Sequence, residues 1–134
     1  MSPADGGTGR SLSESAIAKV RLVPDLGRRF GVRDRAIVEL LACGFRPENI
    51  PGLDLEHVAA DFSAIRTSGF QARLSPAAKK YLRRYLEDGR PLALRTSDEV
   101  ALFITDRHGK RIQRSHLENL RRQIVKVTGL KALK

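Results

Sequence analysis

The sequence contains one cysteine, Cys43, one methionine, no tryptophan and two tyrosines, Tyr81 and Tyr85. A single thiol excludes an internal disulfide and any multi-cysteine metal site. The three histidines, His57, His108 and His116, show no ligand spacing to that cysteine or to one another, so neither a metal nor another cofactor is expected. No apolar run approaches the roughly 18 residues of a membrane helix, and the opening MSPADGGTGR lacks the apolar core of a signal peptide. These absences predict a cytoplasmic protein with no membrane partner. Negative charge is scarce too: 15 Asp and Glu face 25 Lys and Arg, for a formal net charge of +10 and a calculated pI near 10.6. That balance points to a polyanion partner, and eighteen arginines against seven lysines suit bidentate phosphate contacts.

What is present is enough for one core. At 134 residues, 41% of them hydrophobic and 30% charged, the chain is the size of one domain or a part of one. Residues 1–10, with three glycines and a proline, read as a flexible tail, and residues 11–134 as the folded part. Leu12, Ala16, Ile17 and Val20 fall at helical spacing until Pro24 interrupts. Asp34 is expected to cap a helix whose stripe is Ala36, Ile37, Leu40 and Leu41, ending near Gly44. Pro47 then suits a first helical position, while Pro51 and Gly52 keep the segment carrying Ile50, Leu53 and Val58 short and irregular.

Residues 61–74 predict a hairpin turning at Ser68-Gly69. Ser75-Pro76 reads as a cap and first helical position, followed by the stripe Ala78, Tyr81, Leu82, Tyr85 and Leu86 up to Gly89, with a loop through Pro91 and Ser97. The apolar run 100–104 is either a buried strand or the end of a helix. Asp106 to Gly109 make a turn. Ser115 to Glu118 form a capping box opening a helix with Leu117, Leu120, Ile124 and Val127 inward and Gly129 closing it. The pattern is α+β and mostly helical, with a small antiparallel hairpin packed among helices.

One stretch carries chemistry. In DRAIVELLACGFRPENIPGLDLEHV, residues 34–58, an apolar helix leads into Ala42-Cys43-Gly44-Phe45-Arg46, then Ile50, Gly52-Leu53 and Val58. This resembles the first conserved box of the tyrosine recombinases, or phage integrases. Leu74-Ser75-Pro76 resembles the family's step from hairpin to helix, and Leu102-Phe103-Ile104 with Arg107-His108-Gly109 resembles its Leu-Phe-turn segment, so the likeness runs over roughly residues 30–134. It implies the first half of a recombinase catalytic domain, with Arg46 as the catalytic arginine that holds the scissile phosphate. The family's hairpin lysine has no counterpart, since no lysine lies between Lys19 and Lys79, and Asn49 and His57 stand where acidic residues are usual. The His-x-x-Arg box and the tyrosine nucleophile of the family would fall beyond residue 129. Tyr81 and Tyr85, four apart on an inner stripe, read as core residues.

Two basic groups complete the expectation. Lys79, Lys80, Arg83 and Arg84 occupy the outward face of helix 75–89, where a solvated face and a phosphate-binding one are equally supported by the sequence. Lys110, Arg111, Arg114, Arg121, Arg122 and Lys126 have only Glu118 against them and form the stronger DNA-contacting group. Neither has interleaved aromatics, which favours duplex DNA over single strands. The resemblance implies a nucleoid-associated, DNA-binding protein of a mobile element, inactive alone. Two alternatives stand beside it: a module that pairs with a full-length recombinase or with itself, and a gene fragment without a role.

Overall fold

The computed structural model describes the backbone of residues 29–128 and the side chains of residues 31–123. The expected tail, the helix at 11–23, the Gly129 cap and the side chains of Lys126, Ile124 and Val127 lie outside these limits.

Helix α1 spans Arg29–Ala42. The expected cap at Asp34 is wrong, because the apolar stripe begins earlier: buried Val32 extends Ala36, Ile37 and Leu40, and the helix extends with it. Asp34 is instead an interior residue paired with Arg33 at 2.9 Å. Its carboxyl is pushed up from the ordinary value by burial, and the Arg33 guanidinium opposes that push. Arg33 also donates to the carbonyl of Ile104, tying α1 to a segment 71 residues away.

The α1 terminus follows from Gly44. At φ 101° it occupies a conformation that costs other residues a Cβ clash, and two backbone bonds close the end: Gly44 N–H to Leu41 O at 3.0 Å and Phe45 N–H to Leu40 O at 3.1 Å. A 3-10 turn, Pro47–Asn49, follows as Pro47 implies, and a second spans Leu55–His57.

Strands β1 (Ala64–Arg66) and β2 (Gln71–Arg73) pair antiparallel, with Ile65 opposite Ala72 on the core side. The turn forms where Ser68-Gly69 predicts it, and Thr67 closes it: its Oγ1 accepts from the N–H groups of Gly69 and Phe70, both at 3.1 Å. Helix α2, Pro76–Arg84, begins as read, with Ser75 Oγ accepting from Ala78 N–H at 3.1 Å.

The helix does not stop at Gly89. A π turn, Tyr85–Gly89, leads into α3, Arg90–Ala93, so Pro91 lies within a helical turn and not in a loop. The wider turn explains the tolerance, since it shifts the hydrogen-bond register just before the residue that lacks an N–H. It also aims Arg90 inward. This 7% exposed arginine donates to the carbonyls of Glu99 and Ala101 at 2.8 and 2.7 Å.

Residues 101–104 are neither a regular strand nor a helix end. They are buried, with isolated antiparallel bridges Asp54↔Ala101 on one side and Ile104↔Arg111 on the other. Helix α4, Arg114–Thr128, starts before the expected box. His116, not Glu118, supplies the reciprocal bond, its Nδ1 accepting from Gln113 N–H at 3.1 Å, while Glu118 turns to Arg121 at 2.8 Å. The main core joins α1, the box, the hairpin, α2 and 102–120 through Ile37, Leu40, Ile50, Leu53, Ile65, Leu82, Tyr85 and Phe103.

Candidate nucleic-acid interface

Arg46 sits between two anchors. Phe45 on one side is 6% exposed and Ile50 beyond the following turn is fully buried, while the Arg46 side chain is 51% exposed. Its backbone is extended, and its carbonyl accepts from Asn49 N–H at 3.0 Å. A core-bound residue on each side fixes the backbone from which the Arg46 side chain projects. Glu48 lies 3.9 Å from it, an exposed pair that contributes little.

Three contacts place this loop among its neighbours. Phe45 meets Phe70 of the hairpin edge-on, with ring centroids 5.5 Å apart. The Cys43 thiol donates to Ser75 Oγ at 3.5 Å, so the end of α1 adjoins the cap of α2. Arg111 reaches across 60 residues to donate to the carbonyls of Pro51 and Leu53, at 2.9 and 3.1 Å, and pairs with Asp54. His57 finds a local use for its ring: Nδ1 accepts from Asp54 N–H at 2.9 Å, the task an acidic residue three along from a cap would perform. Asp54, Glu56 and His57 each bring one ligand atom within 4.8 Å of the others, but Asp54 is engaged by Arg111 and His57 by the Asp54 backbone. These contacts wire the turn together.

Lys79, Lys80, Arg83 and Arg84 are all exposed on α2, with Arg83 5.0 Å from the Phe62 ring. Phe62 holds an unusual φ of 59°, with its N–H given to Ala59 O at 2.8 Å. In the second group Lys110, Arg114 and Arg122 are exposed, Arg121 is half-buried against Glu118, and Arg111 is the inward brace just described. Other cations were missed. Arg66 and Arg73 are exposed on the solvent side of the hairpin, diagonal across the strands. Strand alternation could have found them, since both lie on the face opposite Ile65 and Ala72.

Tyr85 is a core residue, 2% exposed, with its ring stacked on Phe103 and its hydroxyl donating to Leu102 O and accepting from Ile104 N–H at 3.0 and 3.1 Å. Burial pushes its pKa up to about 12. Tyr81 is half-buried, with the Arg35 guanidinium 4.0 Å over its ring. Arg35 also pairs with buried Glu39 at 2.9 Å. Among the described residues no helix is long and apolar enough to cross a membrane.

No protein-family model matches the chain. It is similar to the tyrosine recombinase XerD of Lacticaseibacillus casei, 33% identical over 124 residues, covering 87% of this chain and 42% of the relative. The XerD of Ralstonia nicotianae is 38% identical over 105 residues, 73% of this chain and 34% of that protein. The crystal structure of XerA recombinase superposes with a TM-score of 0.71 at 26% identity, over 90% of this chain and 44% of the other. The chain thus spans less than half the length of the relatives it matches. The glycine turn before Arg46, the hairpin, the capped helix behind it and these likenesses in sequence and fold agree, and the chain belongs to the tyrosine recombinase family.

Proposed function

We propose that this chain binds duplex DNA in the manner of a site-specific recombinase, with Arg46 holding a backbone phosphate and the cations of α2 and α4 contacting the backbone on either side. The supporting observation is the exposure of Arg46 between buried Phe45 and Ile50, which presents a planar donor fork from a fixed base. The net charge of +10 supplies the long-range attraction. The chain works at the nucleoid.

Binding and cutting are separable here. Of the two tyrosines in the 134 residues, Tyr85 has its hydroxyl engaged in the core and Tyr81 lies under Arg35. Neither is placed to attack a phosphate, so these residues alone hold DNA without breaking it. Anisotropy of a labelled duplex over a salt series tests the reading. The logarithm of affinity should fall with the logarithm of salt at a slope of about −5 to −7, and Arg46→Ala should flatten it by about 1. A suicide substrate should trap no covalent adduct. A salt-independent affinity, or a trapped adduct, overturns the proposal.

A second reading, pairing with a recombinase subunit or with itself, is favoured by exposed apolar side chains: Leu55, Leu92 and Val100 at 36%, 60% and 57%. Leu55 and Val100 are neighbours through the bond from Leu55 N–H to Val100 O. Sedimentation should then show mass rising with concentration, less so in Val100→Glu. A concentration-independent monomer ends the self-pairing form of this reading, and a mixture with a full-length recombinase that sediments as two separate species ends the other.

A further inference from the structure

The turn at residues 105–110 is tightly built. Thr105 N–H donates to Lys110 O at 2.7 Å and Gly109 N–H to Thr105 O at 2.9 Å, while Thr105 Oγ1 accepts from the N–H groups of His108 and Lys110 at 3.3 Å. The chain leaving α3 is pressed against it: a Cβ on Gly109 would lie 2.6 Å from both Ala93 O and Arg95 Cγ. Arg95 Nη2 donates to the carbonyl of Arg107 at 2.6 Å. Cations from two separate segments, Arg95 on one and Arg107 and Lys110 on the other, are thereby gathered on one small exposed surface.

Gathering like charges is unfavourable in the free protein and becomes favourable when an anion arrives. The turn contains one carboxylate, Asp106, and its Oδ1 is buried. Asp98 is the one exposed carboxylate in the loop between α3 and residue 101. The Phe and Tyr rings that stack single-stranded bases have no exposed representative over residues 94–111, where Phe103 is buried. The surface therefore suits the sugar-phosphate backbone of a duplex.

We propose that Arg95, Arg107 and Lys110 form a second phosphate-binding surface for duplex DNA, separate in sequence from the loop of Arg46. This rests on the DNA-binding reading above, and the test keeps the two apart. Anisotropy titrations of the full chain with a labelled duplex of about 30 base pairs, over a salt series, measure the slope directly. The triple variant Arg95→Gln, Arg107→Gln, Lys110→Gln should flatten the slope by about 3. Arg107→Gln with Lys110→Gln, which keeps the Arg95 bond to the turn, should flatten it by about 2 even if the triple variant fails to fold. Arg107→Lys with Lys110→Arg should leave it unchanged. A steep wild-type slope that the double Gln variant does not alter overturns this inference alone. A flat wild-type slope overturns both it and the DNA-binding reading.

Discussion

Gly109→Ala is expected to lower the stability of the fold by about 3 kcal/mol or more, and its melting temperature by about 10 °C. Two costs combine. Gly109 has φ +63°, a left-handed conformation that costs a residue with a Cβ about 1–2 kcal/mol. The new methyl would also stand 2.6 Å from Ala93 O and 3.0 Å from Arg95 N, and both are backbone atoms that cannot swing aside like a side chain. The α3 terminus must therefore move off the turn. Gly52→Ala is the matched control, because a Cβ there meets nothing within 4 Å, and its effect should stay within about 0.5 kcal/mol. Equal melting temperatures for the two variants would falsify the account of the α3 contact.

A loss nearly as large is expected from Tyr85→Phe, which removes one oxygen and no ring. The Leu102 carbonyl and the Ile104 N–H would both lose the hydroxyl that joins them in a buried site, at about 2–4 kcal/mol together. The same residue predicts a pH dependence. Its folded pKa, about 12, lies above the ordinary value of 10.0, so the folded state holds this proton more tightly than the unfolded state does. The contribution is fully present below pH 10 and is lost as pH rises toward and through 12, amounting to about 2 kcal/mol by pH 12. Denaturant midpoints followed from neutral to alkaline pH should fall more steeply in the wild type than in the Phe variant. Parallel curves would show that Tyr85 does not titrate with unfolding.

Where a feature depended on local chemistry, the sequence announced it. Ser68-Gly69 marked the hairpin turn and Ser75-Pro76 the start of α2, because turns and caps are satisfied by residues next to them. Gly44 marked the end of α1 for the same reason. The misses were tertiary. Asp34 resembles a cap in isolation, but Val32 has core to pack against, and burial outweighs the cap. Pro91 resembles a stop, and the π turn before it depends on Arg90 finding carbonyls at 99 and 101. Residues 101–104 had no period to read because single bridges, not a ladder, hold them. In the candidate interface, the glycine turn that carries Arg46 was legible from its box. Lys110 was named there from its run of cations, but its nearness to Arg95 was not legible, since a close approach at Gly109 brings the two segments together.

The brace from Arg111 bears on how genetic data for this protein would be interpreted. Its guanidinium grips the carbonyls at 51 and 53, just past the turn that follows Arg46. A screen that scored only lost DNA affinity would rank Arg111 beside the residues proposed to contact phosphate, although its variants are expected to act by loosening the loop. Salt separates the two classes: a missing contact changes how many counterions binding releases, whereas a slack loop weakens binding equally at every ionic strength.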